Sequence, residues 1–155
     1  MKKLKMISLL LFLWLPVSVW ALEYPTLHYD KAIVYDLTDD KVLYELKDTE
    51  RAHVASLTKI LTTITAIESI DNLDDMITYT ENMKSLVRWD ASVAGLSVGD
   101  KVSYRDLLYA SIFPSGADAT TALAISTSGS ISNFVKKMNE EASKIGMHNS
   151  HFVNV

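Results

Sequence analysis

The tetrad Ser56-Leu57-Thr58-Lys59 places a hydroxyl and an amine one helical turn apart in the sequence. At the start of a helix, side chains at positions i and i+3 share a face about 5–6 Å apart, so these two groups can meet. A serine needs a base to become a nucleophile, and a lysine can be that base only if burial lowers its pKa. The apolar Leu57 and Ile60 favour such burial. The tetrad is typical of acyl transfer through a serine ester, but taken alone it is better interpreted as an N-cap serine beside a solvated lysine.

A second serine lies in a stretch of small residues and turn formers, Pro114-Ser115-Gly116-Ala117-Asp118-Ala119. This composition predicts a tight turn that opens a small-residue helix. The Ser115 hydroxyl is therefore either a cap for that helix or a second catalytic hydroxyl.

Hydrophobic periodicity predicts the elements that must position these residues. Strands are expected over 32–37 and 41–46, joined by Thr38-Asp39-Asp40 as a hairpin, and a short strand over 76–80. Helices are expected over 55–70, 104–113, 117–126 and 130–145, the first largely buried and the last capped by Gly146. We expect residues 82–98 to be irregular and residues 98–102 to form a tight turn.

Composition excludes several classes of protein. The chain has 155 residues, of which 48% are hydrophobic, no cysteine and a formal net charge of −4. It is thus long enough for one globular domain and is neither a disordered nor a disulfide-stapled chain. Nucleic-acid binding is not expected, because it requires a clustered basic surface.

The N-terminus is typical of a secretory signal. Lys2, Lys3 and Lys5 precede an apolar run over residues 6–20, and Ala21 stands where signal peptidase would cut. The run is shorter than the roughly 20 residues of a membrane-spanning helix, although an uncleaved anchor is the alternative. We therefore predict a signal peptide over 1–21 and an exported mature chain over 22–155, with 12 basic and 19 acidic residues.

Several stretches together resemble the serine D-alanyl-D-alanine carboxypeptidases, which are low-molecular-mass penicillin-binding proteins. They follow the order of that family through nearly the whole mature chain: Val54–Thr62 with the Ser-x-x-Lys tetrad, Asp106–Tyr109, Pro114–Ala119, Phe134–Asn139, Gly146-Met147 and His151–Asn154.

The resemblance implies a fold and a mechanism. The fold would be α+β, of the penicillin-binding protein/β-lactamase type, with residues 22–155 forming the N-terminal part of its catalytic domain. Ser56 would form the acyl-enzyme, Lys59 would be the general base, and Ser115 would relay a proton to the leaving D-alanine. The substrate would be a peptidoglycan stem peptide ending in D-Ala-D-Ala, in the periplasm or at the outer face of the cytoplasmic membrane. β-Lactams would be inhibitors, and no cofactor or metal is implied.

The sequence departs from the family pattern in two places. Ala117 replaces the asparagine of the usual Ser-x-Asn motif, and no Lys-Thr-Gly motif follows Ser115. We therefore expect the chain to be the N-terminal part of a longer enzyme, or the product of a degenerate gene, without the C-terminal strands of the sheet. Any association with the membrane surface would depend on that missing part.

Three alternatives remain open. The chain could be a β-lactamase-related serine hydrolase, although no further carboxylate can be assigned to activate a deacylating water. It could instead be a non-catalytic relic that binds wall peptides or nothing, or a membrane-anchored interaction module. A metal site at His148 and His151 is not expected, because zinc needs three or four ligands and no others lie nearby.

Overall fold

The computed structural model describes residues 29–155. The signal peptide predicted over residues 1–21 lies outside this range. The chain divides into two compact units, one ending at Ala52 and the other extending from His53 to Val155.

The first unit contains the predicted hairpin. Strands β1 (Ala32–Asp36) and β2 (Lys41–Leu46) pair antiparallel, and the register shifts between Val34 and Tyr35. The Asp36 carboxylate accepts hydrogen bonds from the backbone N–H groups of Thr38 and Asp39, at 2.8 and 3.2 Å. This Asx-type turn reverses the chain between the strands, as expected for the predicted hairpin connection Thr38-Asp39-Asp40.

The second unit contains two short strands and five helices among the residues described. Strands β3 (Met76–Thr78) and β4 (Lys101–Ser103) pair antiparallel. A single 3₁₀ turn (Ala55–Leu57) precedes helix α1 (Thr58–Ile67). The other helices are α2 (Glu81–Ser85), α3 (Tyr104–Ile112), α4 (Ala117–Ser128) and α5 (Ile131–Lys144).

Helix α4 is the centre of the core. Every residue from Asp118 to Ala124 is buried, and the helix contacts α1, α2, α3 and α5. Its small side chains allow these neighbours to approach closely on all sides. The largest apolar side chains buried around it are Tyr79, Leu107, Phe134 and Met138, together with Leu123 of α4 itself. Gly129, with φ +73°, ends the helix as a left-handed C-cap.

Helix α1 differs from the prediction in length and in burial. It begins at Thr58 and ends at Ile67, and only one of its faces meets the core. Leu61, Thr62, Thr65 and Ala66 are buried, whereas Leu57 of the preceding turn and Ile60, Ile64 and Ile67 are exposed. The sequence predicted a largely buried helix, and this prediction was wrong for the apolar stripe of Leu57, Ile60, Ile64 and Ile67.

The segment predicted to be irregular contains a short helix. Helix α2 begins after Thr80, whose hydroxyl accepts a hydrogen bond from the Met83 N–H. A threonine N-cap followed by an acidic first residue is a helix start signal, which the low apolar content of this segment obscured. The rest of the segment, from Leu86 to Asp100, has no regular structure.

The last residues of the chain pack on α5. Phe152 is buried, and its N–H and C=O groups both bond to the Asn139 side chain at 2.9 Å. An amide that donates and accepts in this way imitates a backbone partner, which is why this apolar end of the chain is ordered.

Candidate active site

Ser56 lies in the 3₁₀ turn that leads into α1. The turn is closed by the Leu57 N–H, which donates to the Val54 carbonyl at 3.0 Å, and it has no side-chain cap. Ala55 has a φ of +46°, a left-handed conformation that costs a non-glycine residue about 1–3 kcal/mol. N–H groups in the first turn of a helix lack intrahelical acceptors and carry partial positive charge. Ser56 is exposed, and its place in the turn before α1 favours an oxyanion.

Lys59 is the second residue of α1 and is half-buried. Burial lowers the pKa of its ammonium group from the usual lysine value. Within residues 29–155, no carboxylate forms a salt bridge with Lys59 to offset that effect. A partly desolvated amine without a salt-bridge partner loses its proton more readily than an ordinary lysine, which is the direction that a general base requires.

Ser115 lies between the end of α3 and the start of α4. Its φ is +58°, so it too adopts the left-handed conformation. Its hydroxyl donates a hydrogen bond to the Ser56 hydroxyl at 3.0 Å, across 59 positions of sequence. Two of the three predicted site residues are therefore in direct contact.

No hydrogen bond joins Lys59 to either serine hydroxyl in the described part of the chain. The i, i+3 argument assumed that Ser56 and Lys59 share one α-helix. Ser56 instead belongs to a 3₁₀ turn, and Lys59 is the second residue of the α-helix that follows it. In the described residues, the hydrogen-bond partner of the Ser56 hydroxyl is the Ser115 hydroxyl.

Backbone contacts fix the Ser115 turn closely. The Gly116 N–H donates to the Ala110 carbonyl at 3.1 Å, and the Ala117 N–H donates to the Ser92 carbonyl at 2.8 Å. A Cβ atom at Gly116 would lie 2.7 Å from the Ala110 carbonyl oxygen and 2.9 Å from the Asp118 carboxylate. Only glycine fits at this position.

Asp118, the second residue of α4, is a neighbour of the site that the sequence did not reveal. Its carboxylate is 3% exposed and accepts hydrogen bonds from the backbone N–H groups of Ala94, Gly95, Leu96 and Ala119, at 2.8–2.9 Å. An aspartate in the first turn of a helix is so common that its type carries no special signal. Three of its four partners lie 22–24 residues earlier in the chain, and no local pattern identifies them.

Ala117 is the first residue of α4 and contributes only its backbone to the site. Its methyl side chain supplies none of the hydrogen bonds that an amide would make there.

The remaining candidates lie outside this arrangement. Trp89 is 97% exposed, and the neighbouring Arg88 forms a two-pronged ion pair with Asp90 at 2.7–2.9 Å. His148 and His151 are exposed, and residues 29–155 contain no group of three His, Cys, Asp or Glu side chains that could hold a metal ion. None of the helices in that range is long and apolar enough to span a membrane.

Comparison with known families identifies the chain. Residues 19–155 match the family model described as D-alanyl-D-alanine carboxypeptidase. The chain belongs to this family. The match includes the Ser56 turn, α1 and the Ser115 turn, so the resemblance seen in the sequence motifs is confirmed.

Curated members of the carboxypeptidase family are similar over much of this chain. D-alanyl-D-alanine carboxypeptidase DacF of Bacillus subtilis is 33% identical over 127 residues, 79% of this chain and 32% of its own length. A D-alanyl-D-alanine carboxypeptidase of Streptomyces sp. K15 is 40% identical over 71% of this chain and 40% of its own length. DacC of Escherichia coli is 34% identical over 96% of this chain and 40% of its own length. The chain thus spans about a third to two-fifths of these relatives.

Solved structures of the family share the fold. A mutant of the Streptomyces K15 DD-transpeptidase superposes with a TM-score of 0.79 at 32% identity, covering 84% of this chain and 54% of the other. Penicillin-binding protein 5 of Haemophilus influenzae superposes with a TM-score of 0.75 at 29% identity, covering 86% and 40%. The α+β fold of the penicillin-binding type is therefore confirmed.

Proposed function

We propose that this chain carries the nucleophile side of a serine-type D-Ala-D-Ala carboxypeptidase that acts on peptidoglycan stem peptides. Ser56 is the acyl-ester nucleophile, Lys59 the general base and Ser115 the proton relay. The observation that carries the proposal is the 3.0 Å hydrogen bond between the Ser115 and Ser56 hydroxyls. The exposed turn of Ser56 and the partly buried turn of Ser115 come from distant parts of the sequence, and acyl transfer gives a chemical reason for their hydroxyls to meet.

The reaction has two halves. Lys59, whose pKa burial lowers, accepts the Ser56 proton while Ser56 Oγ attacks the carbonyl carbon of the penultimate D-alanine. Ser115 then passes its hydroxyl proton to the nitrogen of the terminal D-alanine and takes up the proton held by Lys59, and that D-alanine leaves as the C–N bond breaks. In the second half, Lys59 accepts a proton from the attacking water, and this proton passes to Ser56 Oγ as the ester C–O bond breaks.

The Ser56 N–H is the proposed first donor to the oxyanion. It lies in the first turn before α1, where N–H groups lack intrahelical acceptors and the helix dipole favours negative charge. One donor of this kind contributes about 10²–10³ in rate in hydrolases that form tetrahedral intermediates.

The finer parts of the proposal concern location and inhibitors. Residues 1–21 are a signal peptide that exports residues 22–155, and the exported part is the N-terminal portion of the catalytic domain. The substrate lies in the periplasm or at the outer face of the cytoplasmic membrane. β-Lactams acylate Ser56, since they present a carbonyl to the same nucleophile; a relative named penicillin-binding protein 5 supports this step.

Labelling with a fluorescent penicillin tests the proposal. The full chain should gain a covalent label on Ser56, located by peptide mass spectrometry, and should release D-alanine from a peptide ending in D-Ala-D-Ala. Ser56→Ala should lose both. Ser126→Ala is the matched control, because the Ser126 hydroxyl bonds only carbonyl groups of its own helix. A chain that takes no label and releases no D-alanine would refute the proposal.

A second candidate function is peptide binding without turnover, which Ala117 specifically favours. The family motif has an amide there, and the methyl group cannot replace its hydrogen bonds to a substrate backbone. Under this alternative, Ala117→Asn should restore D-alanine release to a chain that otherwise only takes the label.

A further inference from the structure

The Asp118 carboxylate is buried without a cationic partner among the described residues. Each of its oxygens accepts two backbone N–H groups: Oδ1 bonds Ala94 and Ala119, and Oδ2 bonds Gly95 and Leu96. Burial raises the pKa of this carboxyl, but the four N–H donors outweigh burial and hold the pKa below its usual value. Asp118 is therefore ionised at neutral pH, and its hydrogen bonds are of the strong, charge-assisted kind.

These bonds join the loop 92–96 to the first turn of α4. The same loop also accepts the Ala117 N–H at the Ser92 carbonyl, 2.8 Å away. The loop is thus attached to α4 at two consecutive residues, Ala117 through its backbone and Asp118 through its side chain. Because the rest of the segment between Leu86 and Asp100 has no regular structure, these bonds supply much of its order.

The Asp118 carboxylate also adjoins the turn that bears Ser115. The Gly116 Cα lies so close to the Asp118 Oδ1 and the Ala94 Cβ that an added methyl group would be 2.9 and 3.0 Å from them. Ser115, immediately before Gly116, has the left-handed φ of +58°, which surrounding contacts must maintain. The loop, the carboxylate and the turn therefore form one packed unit, and Ser115 is at its edge.

We infer that Asp118 is a positioning residue for the acylation reaction: its carboxylate holds the loop 92–96 against α4 so that the Ser115 hydroxyl stays within hydrogen-bond distance of Ser56. This inference rests on the proposed function for its catalytic consequence. The hydrogen bonds of the Asp118 carboxylate all go to backbone N–H groups of the loop and of α4, so the effect of Asp118 is transmitted through Ser115.

Asp118→Asn is the first test. The amide keeps the shape of the side chain, but its NH₂ group cannot accept, so two N–H groups lose their acceptor. The second-order rate constant for labelling by fluorescent penicillin should fall about tenfold to a hundredfold, the scale of a misplaced catalytic group. Asp100→Asn is the control, because Asp100 also accepts a loop N–H, from Ser97 at 2.8 Å, but does not contact the Ser115 turn. It should change the rate less than about twofold. Equal effects of the two variants would overturn the inference.

A double-mutant cycle separates positioning from general loss of structure. In a Ser115→Ala background there is no hydroxyl to misplace, so Asp118→Asn should change the remaining rate less than about twofold. The same tenfold or larger loss in both backgrounds would show that Asp118 acts on the fold as a whole and would overturn the inference.

Two glycines provide a second route if Asp118→Asn does not fold. Gly95 and Gly99 have nearly equal φ values, +94° and +99°, and an added Cβ meets no atom within 4 Å at either. Their N–H groups differ: Gly95 donates to Asp118 and Gly99 donates to the Tyr79 carbonyl. Alanine strains the positive φ at both positions, but only at Gly95 does the strain fall on an N–H group that donates to Asp118. Gly95→Ala should therefore slow labelling at least fivefold more than Gly99→Ala, and this difference should disappear in a Ser115→Ala background. Equal effects would overturn the inference.

A measurement without any ligand distinguishes failure of this inference from failure of the proposed function. Nuclear Overhauser cross-peaks between the β protons of Ser56 and Ser115 report the contact directly. They should be present in the unmodified chain and lost or weakened in Asp118→Asn. If the chain takes no penicillin label, the proposed function fails and this measurement still decides the inference. Unchanged cross-peaks in Asp118→Asn would overturn the inference whatever the labelling result.

Discussion

The two turns that carry the serines are built differently, although their hydroxyls lie 3.0 Å apart. The Ser115 turn is held by Gly116, by the Asp118 carboxylate and by the buried run of α4 that begins at Asp118. The 3₁₀ turn of Ser56 contains no buried residue and no side-chain cap, and its backbone bonds are local. One hydroxyl is thus fixed by the core, and the other is presented at the surface.

This difference suits the proposed division of roles. A nucleophile must be reached by a polymeric substrate, so exposure of Ser56 is useful, and a rigid partner limits the orientations of its hydroxyl. Substitutions near Ser115 should therefore affect stability and activity together. Substitutions near Ser56 should affect activity with little or no loss of stability.

Lys59→Met should give the largest effect on the Ser56 side. Loss of a general base should slow penicillin labelling about 10²–10⁴-fold. The free energy of unfolding should rise at neutral pH, because the variant removes a partly desolvated ammonium that has no salt-bridge partner in the described residues. Labelling kinetics and urea denaturation measure the two effects. Lys84→Met, at an exposed lysine of α2, should change neither. A large loss of stability in Lys59→Met would contradict the comparison.

Gly116→Ala should give the largest stability effect on the Ser115 side. Its φ of −67° is ordinary for alanine, so the whole cost comes from the Cβ contacts at 2.7–3.0 Å with Ala110, Asp118 and Ala94. Overpacking of this kind costs about 1–3 kcal/mol, and labelling should fall with it. Gly129→Ala is the control for backbone strain alone, since Gly129 has φ +73° and open space around it. If Gly116→Ala destabilises the chain no more than Gly129→Ala and is labelled at the normal rate, the Ser115 turn is less tightly held than its contacts indicate.

The sequence predicted the elements of the site better than their burial. The helices that carry Lys59 and follow Ser115 were placed within three residues, because apolar spacing marks α1 and turn-forming residues precede α4. The predicted burial of α1 was wrong because the residues on either face of this helix are compatible with a core. The stripe of Leu57, Ile60, Ile64 and Ile67 has helical spacing, but the buried face is that of Leu61, Thr62, Thr65 and Ala66. Periodicity identifies faces and does not determine which one a neighbour covers.

The site residues show the same limit. Motif spacing singled out Ser56, Lys59 and Ser115, yet the contact between the two serines spans 59 positions and depends on tertiary packing. Asp118 was quoted within a motif, but its role depends on loop N–H groups that no sequence pattern links to it. Local chemistry is visible in the sequence, and the long-range hydrogen bonds that organise it are not.

The pH dependence of the free energy of unfolding should show a smaller effect on the Ser56 side, through Lys59. Because folding lowers the Lys59 pKa, the unfolded chain binds more protons between that lowered pKa and the usual lysine value of 10.5. Stability due to Lys59 should therefore rise with pH through this window, and the advantage of Lys59→Met should shrink as the pH approaches 10.5. Urea denaturation of both proteins at several pH values measures the difference. A constant difference across this range would mean that Lys59 keeps its usual pKa in the folded chain.

Ala55→Gly should have the smallest effect, of opposite sign to that of Gly116→Ala. Glycine relieves the left-handed φ of +46° at Ala55, but it also increases the conformational entropy of the unfolded chain. The relief of strain and the entropic cost nearly cancel, so the free energy of unfolding from thermal denaturation should rise by less than about 1 kcal/mol. Penicillin labelling should be retained. Ala91→Gly, at a loop alanine without a positive φ, should show only the entropic loss. If Ala55→Gly is as destabilising as Ala91→Gly, the strain at Ala55 contributes nothing. In that case the Ser56 turn is held by its surroundings as firmly as the Ser115 turn is.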